Sequence, residues 1–359
     1  MERMKLIIAG GGSGGHFFPA MSVVQEIIRR DVGMEYLYVG TEDGIESRKW
    51  NLPEKNRVLL NVRGFKNKGM VDKMAAILLL AGSIKKSYGI INSFNPQAVL
   101  GVGGYASFPL VITAAVMGIP TAVHEQNSIP GLANKILARF SKSIFISFDV
   151  SKNYFPSNKV VLTGLPVRFS STPSKKSNSG IKTILILGGS QGAAQINKMM
   201  VSSLPGLKDK KDTVLFIHQT GTADYKAVKD AYKAYGFNAQ VYEFIDDMSS
   251  AFLQADIAIS RAGASTLFEL ALFGIPCILI PYPHAASDHQ SVNAAEVANA
   301  GGAILIPKDA DGVPMLVDAV HLLLSDQNRL IAMSESMRRW SKPDASKDIV
   351  DGLIRLKKA

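Results

Sequence analysis

The chain has one cysteine, Cys277, in 359 residues. A single thiol excludes an internal disulfide framework and a thiolate-rich metal site, and it points to a reducing, cytoplasmic setting. Charged residues are also scarce, at 19%, against 47% hydrophobic. That balance excludes a disordered chain and fits packed domains. No apolar run reaches the roughly 18 residues needed to span a bilayer. The N-terminal run MERMKLIIAGGGSGG turns into glycines too early for a signal peptide, and reads as a first strand. Basic residues interleaved with aromatics are absent, which argues against a nucleic-acid partner.

The positive charge is unevenly placed. Of a formal +10, residues 1–170 hold 20 Lys+Arg against 11 Asp+Glu, and residues 171–359 hold 20 against 19. The front half therefore favours an anionic partner. Short apolar runs alternate with helical spacing throughout. Lys5–Ala9, Glu35–Gly40, Ala98–Gly103, Thr121–Gln126, Thr183–Gly189, Thr213–Gln219, Ala239–Phe244, Asp256–Ser260 and Cys277–Pro281 read as buried parallel strands. Helical spacing covers Pro19–Arg30 and Ala264–Phe273, with a further helical tail after Pro343 whose partner the spacing leaves open. This predicts an α/β protein of two doubly wound domains facing each other across a cleft. The expected divisions are 1–168, a polar linker 169–182 (FSSTPSKKSNSGIK), 183–342, and the tail 343–359.

Three glycine loops follow strands: GGGSGGH (Gly10–His16), GGYASFP (Gly103–Pro109) and GGSQGAA (Gly188–Ala194). Such loops let the backbone approach an anion, and the next helix offers free N–H groups. Gly10, Gly12 and Gly15 match G-x-G-x-x-G, but the second strand ends in Val39-Gly40-Thr41 with Glu42 only beyond it, a poor dinucleotide site. His16 at the helix start is either a base or a plain helix-end polar group. In Ser260–Pro276, a helix opening at Ala264 suits a diphosphate. Glu269 could there accept from two ribose hydroxyls, or be an ordinary exposed helix residue. After Pro281, Gln290 and Asn293 suit sugar hydroxyls, whereas His284, Asp288 and His289 match no common zinc spacing. Asp246-Asp247 is not a D-x-D pair and reads as the cap of a helix starting near Met248.

Taken in order, GGGSGGH, GGYASFP, HEQN (His124–Asn127), GLPVR (Gly164–Arg168), GGSQGA, FIDDM (Phe244–Met248), RAGASTLFE and DHQSVNA resemble the MurG family across residues 5 to about 345. The resemblance implies a GT-B fold and inverting transfer of N-acetylglucosamine from UDP-N-acetylglucosamine to the muramyl 4-hydroxyl of lipid I, giving lipid II. It also implies donor contacts from Ser13, Gly14, Gly15, Asn127, Arg168, Ser190, Gln191, Ile245, Ala264, Ser265, Thr266, Leu267, Glu269 and Gln290. Ile245 would meet uracil through its main chain and Glu269 the ribose. Ser190 and the helix at Ala264 would meet the diphosphate, and Gln290 and Asn127 the sugar. His16 is the first choice for the base, then Glu125, which could instead orient His16 or cap a helix, then His124. No metal is expected to be required, with magnesium at most stimulatory.

A lipid-anchored acceptor implies a peripheral enzyme on the cytoplasmic face of the cell membrane, in contact with anionic lipid and other cell-wall synthesis proteins. Met70–Tyr88 has an apolar centre at 75–81, flanked by Lys73, Lys85 and Lys86, with Phe65, Lys66 and Lys68 before it. That pattern suits an anionic interface, or a buried helix. The competing readings are a related transferase with another lipid acceptor, a nucleotide-sugar-binding subunit without catalysis, and a nicotinamide oxidoreductase.

Overall fold

A strand buried on both faces needs apolar side chains on both, and the central strands of this chain have them. The computed structural model describes residues 3–30, 33–62, 70–169, 180–189 and 192–358, with the backbone alone at 70–79, 286 and 358. The chain forms two compact units, Met1–Arg168 joined by Pro343–Ala359, and Phe169–Lys342.

The first unit runs β1 (Met4–Ala9), α1 (Gly14–Arg30), β2 (Met34–Thr41), α2 (Glu46–Lys49), β3 (Arg57–Leu60), α3 (Met70–Phe94), β4 (Ala98–Gly101), α4 (Ser107–Val116), β5 (Thr121–Glu125), α5 (Leu132–Phe140), β6 (Ser143–Ile146) and β7 (Val160–Leu162). Its seven strands lie in the order β3-β2-β1-β4-β5-β6-β7, all parallel. The second unit runs β8 (Lys182–Leu187), α6 (Ala194–Ser203), β9 (Val214–Gln219), α7 (Tyr225–Tyr235), β10 (Asn238–Tyr242), α8 (Met248–Gln254), β11 (Ile257–Ser260), α9 (Ala264–Phe273), β12 (Cys277–Leu279), α10 (His289–Asn299), β13 (Ala303–Leu305), α11 (Gly312–Ser325) and α12 (Gln327–Trp340). Its parallel sheet has the order β10-β9-β8-β11-β12-β13. Both orders reverse direction once, between β1 and β4 and between β8 and β11. Doubly wound sheets bind ligands outside the carboxyl ends of the strands at that reversal. The loops that flank it are the glycine loops and the turn before α9.

Some expectations change. The helix expected from Pro19 begins at Gly14, so Pro19 lies inside α1 and His16 sits on its first turn. A proline one turn in forfeits only the hydrogen bond to the Gly15 carbonyl. The run 239–244 is not a buried strand: β10 is an edge strand with alternating exposure. The strands β3, β6, β7 and β13 lie outside the expected runs, and three of them are sheet edges. The strand expectations at 98–103 and 183–189 overrun by two residues, because the glycine turns begin there.

The tail forms α13 (Ala345–Lys358) and packs on the first unit. Ile349, Val350, Leu353 and Leu356 join Phe17, Met21, Val24 and Phe145 in one core. Each such side chain contributes about 1.5–3 kcal/mol when buried. Arg30 anchors the helix, donating to Asp351 Oδ1 (2.5 Å), the Lys347 carbonyl (3.1 Å) and Glu26 Oε1 (2.7 Å). Most of the 169–182 stretch lies outside the described residues.

Candidate functional site

In the first unit the two glycine loops meet. Gly104 has φ +78°, and a Cβ there would lie 2.2 Å from the Gly11 carbonyl oxygen, so only glycine permits the approach. Gly11 and Gly12 also take positive φ. The first loop is held from behind by Glu46, which is fully buried. Its carboxylate accepts from Gly12 N–H (2.9 Å), Thr41 N–H (2.5 Å) and Thr41 Oγ1 (2.7 Å). Tyr38 Oη donates to the Gly10 carbonyl. Nothing in the run Glu46–Lys49 marks this role, because the carboxylate reaches the loop only through the tertiary fold.

The Ser13 carbonyl accepts from the N–H groups of His16 and Phe17, starting α1. Ser13 and Gly15 are exposed and Gly14 half-buried. His16 is half-buried with Nδ1 sealed, and burial lowers its pKa below the ordinary imidazole value. His124 is fully buried on β5, and burial holds its pKa at about 4. It is neutral at pH 7 and shielded from solvent, which removes it as a base. Glu125 is buried too, and burial raises its pKa. Its carboxylate accepts from Asn127 N–H (3.0 Å), Gly131 N–H (3.3 Å) and Asn134 Nδ2 (2.8 Å). Those donors make Glu125 a brace of the loop entering α5, the arrangement of the capping alternative. Asn127 is half-buried beside it. Arg168 is exposed, its guanidinium 5.5 Å from the Phe18 ring centroid.

In the second unit, α9 begins at Ala264 after Gly263, with no acidic residue in its first turn. Its first N–H groups carry the positive end of the helix dipole. Ser265 and Thr266 are half-buried. Leu267 corrects to a backing residue: its side chain is fully buried, and its N–H bonds the Gly263 carbonyl at 3.0 Å. Glu269 is not an exposed helix residue but is 9% exposed, on the second turn. Ile245 is buried, and its N–H donates to Gln219 Oε1 at 2.9 Å, while Gln219 Nε2 donates to the Gly189 carbonyl at 2.9 Å. Ser190 and Gln191 lie outside the described residues. Gln290 is half-buried, its Oε1 accepting from Tyr282 N–H at 3.0 Å. Asn293 is fully buried and donates to the Ala262 carbonyl at 3.1 Å, so it holds the loop before α9 instead of meeting a sugar. Asp247 caps α8, accepting from Ser250 N–H at 3.1 Å.

Arg261 was not singled out by the sequence. It is buried beside the start of α9 and donates to the carbonyls of Ile280 (3.2 Å) and Pro281 (3.0 Å) and to Gln195 Oε1 (3.0 Å). It thus ties together the segments that open α6, α9 and the stretch after β12. Its signal, an arginine directly after a buried strand, was inside the RAGASTLFE motif.

Two family models match the chain: the glycosyltransferase family 28 N-terminal domain over residues 6–146 and its C-terminal domain over residues 183–349. A protein of Myxococcus xanthus named UDP-N-acetylglucosamine–N-acetylmuramyl-(pentapeptide) pyrophosphoryl-undecaprenol N-acetylglucosamine transferase is 41% identical over 98% of this chain and 93% of its own. The protein of that name from Geobacter sulfurreducens is 41% identical over 98% of each chain. Among solved structures, MurG of Acinetobacter baumannii superposes with a TM-score of 0.80 at 29% identity, covering 98% of this chain and 99% of its own. A Neisseria meningitidis UDP-GlcNAc 2-epimerase bound to UDP-GlcNAc has a TM-score of 0.70 at 18% identity, over 98% and 100%, and shares the fold alone.

Proposed function

The chain belongs to the MurG transferases of glycosyltransferase family 28, and on that premise we propose how its residues divide the reaction. It is a GT-B enzyme that transfers N-acetylglucosamine from UDP-N-acetylglucosamine to lipid I, giving lipid II. The observation that carries this function is identity of about 40% over nearly the whole chain to transferases of that name.

The second unit takes the donor. Uracil meets the main chain at Ile245, Glu269 accepts from the ribose, and the N–H groups of Ala264, Ser265 and Thr266 with Ser190 and Gln191 face the diphosphate. Gln290 and Asn127 serve the sugar, and Arg168 is a further donor contact. The dipole of α9 and the absence of a carboxylate from its first turn support the diphosphate assignment. The first unit takes the acceptor, with His16 as base, and its Ser13, Gly14 and Gly15 are further donor contacts. His16 Nε2 takes the proton from the muramyl 4-hydroxyl as its oxygen bonds the anomeric carbon. The bond from that carbon to the β-phosphate oxygen breaks on the opposite face, and UDP leaves, so the centre inverts. Negative charge grows on the diphosphate in that transition state, where preorganised N–H dipoles act most strongly. No metal is required on this reading, so turnover persists in chelator.

The acceptor is lipid-anchored, and we assign its approach to the first unit at the cytoplasmic face of the membrane. No helix among the described residues is long and apolar enough to cross a membrane. In the first unit Leu132 is 74% exposed and Phe140 54%, with Lys135, Arg139 and Lys142 close by in the chain. Exposed apolar side chains among cations suit an anionic interface. Phe65, Lys66 and Lys68, and the side chain of Lys73, lie outside the described residues. Lys86 is exposed but donates to the Leu59 carbonyl at 2.7 Å.

Purified protein with UDP-N-acetylglucosamine and a lipid I analogue should yield product heavier by one N-acetylhexosamine. No mass change would remove the assignment. Changing Lys73, Lys85 and Lys86 to Glu should weaken flotation with anionic liposomes, and unchanged flotation would remove that patch.

A further inference from the structure

Beneath the first turn of α1, a line of buried polar groups runs from Gly164 to His16. His124 Nε2 lies 3.0 Å from the Gly164 carbonyl oxygen, which can only accept. Nε2 therefore carries the proton, and His124 Nδ1 is a bare acceptor. The Gln126 amide nitrogen lies 3.1 Å from that Nδ1, 2.7 Å from the Val102 carbonyl and 3.2 Å from the His124 carbonyl. All three neighbours accept, so the NH2 end must face them and Oε1 must point away.

Gln126 Oε1 is buried and lacks a hydrogen-bond partner, and so does His16 Nδ1. Both atoms lie over Gly103: a Cβ there would be 2.9 Å from His16 Nδ1 and 3.4 Å from Gln126 Oε1. Buried polar atoms without partners are rare and costly. One is an obligate acceptor, and the other is a ring nitrogen able to donate. The arrangement that satisfies both is Nδ1–H of His16 directed at Gln126 Oε1, with the Val102 carbonyl as a second acceptor nearby. The charged or titratable groups that act on the ring are Glu46 and His124, the latter neutral.

We propose that the Gly164 carbonyl, acting through His124 and Gln126, sets the tautomer of His16 and leaves Nε2 with its lone pair for the acceptor hydroxyl. Gln126 is then a positioning residue. It offers an acceptor to Nδ1–H both before the proton is taken and after the ring becomes imidazolium. This rests on His16 being the base, and it adds why one ring nitrogen is available. The tautomer need not be selected during turnover, because the fold has already selected it.

The test is the ¹⁵N spectrum of the histidine rings in the whole enzyme near pH 8, where protonated and bare ring nitrogens are resolved, with His16→Ala assigning the signals. The expected result is Nδ1–H for His16 and Nε2–H for His124. An Nε2–H His16 in the wild-type enzyme overturns the proposal without any further variant. Gln126→Met, which removes donor and acceptor at similar volume, should convert His16 to a mixture of tautomers. It should lower kcat by about 10- to 100-fold with KM for UDP-N-acetylglucosamine little changed, and move the acid limb of the kcat profile to lower pH. A Gln126→Met enzyme with wild-type kcat and pH profile, alongside an inactive His16→Ala, overturns the relay and leaves the base in place. Near-normal turnover of His16→Ala removes the base itself.

Discussion

Glu46→Gln is the substitution that should separate a braced glycine loop from a merely glycine-rich one. The carboxylate accepts from Gly12 N–H, Thr41 N–H and Thr41 Oγ1, and it is fully buried. In glutamine the surviving oxygen holds Thr41 and keeps the longer contact to Gly12 N–H (3.1 Å), but the amide NH2 replaces the oxygen 2.9 Å from that N–H, donor against donor. The loss is one charge-assisted hydrogen bond together with a buried unpaired donor, about 2–4 kcal/mol. Tryptophan fluorescence can localise the effect, because the chain has two tryptophans, one in each unit. Trp50 lies 5.2 Å from the Tyr38 ring, whose hydroxyl holds the same loop, and Trp340 stacks on Phe268 in the second unit. In a Trp340→Phe background, urea unfolding read at Trp50 should lose about 1–2 M in midpoint, taking a slope of about 2 kcal/mol per molar. In a Trp50→Phe background, the midpoint read at Trp340 in the second unit should stay as it was. A Trp50 midpoint unmoved by Glu46→Gln would refute the claim that this carboxylate shapes the loop.

Gly104→Ala should cost about 3 kcal/mol or more, because its Cβ meets the Gly11 carbonyl as well as a positive φ. Gly118→Ala, at φ +75° with no atom within 4 Å, should cost only about 1 kcal/mol, and equal losses at Trp50 would contradict the close approach. Burial depresses His124 to about 4 and His218 to about 3, so below pH 6.5 the unfolded chain binds protons that the folded chain refuses. Their stabilising contribution is whole above pH 6.5 and is lost as pH falls. The second unit should therefore weaken by about 2–3 kcal/mol between pH 6.5 and 4.5, while in the first the raised pKa of Glu125 works the other way, and a flat urea midpoint read at Trp340 across that window would count against a neutral buried His218. Cys277 is fully buried on β12 and its pKa is raised by burial, so iodoacetamide should label it only as fast as the second unit opens. Rapid labelling of the folded enzyme would show otherwise.

The central strands were legible because parallel strands covered by helices must be apolar on both faces, and Lys5–Ala9 or Thr183–Leu187 can be little else. The edges were not: β7 exposes Val161 and Leu162, and β13 has three residues. The helix at Ala264–Phe273 was legible to the residue, since an apolar stretch runs to Gly274 in the left-handed conformation. Spacing in the tail showed an apolar stripe but not its partner, because Ile349 and Leu353 would suit either core. In HEQN the chemistry-bearing types were visible, but their roles were not. Sequence ranks His and Glu above Gln as catalytic candidates, whereas the fold buries His124, binds the Glu125 carboxylate to a loop, and sets Gln126 Oε1 over Gly103 with His16 Nδ1. Arg261 and Glu46 show the same limit, since each acts on segments distant in sequence.

The return of α13 to the first unit has a consequence for biosynthesis. Phe17, Met21 and Val24 share their core with side chains that the ribosome adds only after the whole second unit. At roughly 5–20 residues per second, the nascent front half waits about 10–35 s with that greasy stripe uncapped. Holdase chaperones have that interval in which to bind. A premature stop between residues 345 and 349 would strip Ile349, Val350, Leu353 and Leu356 from the half of the enzyme made first.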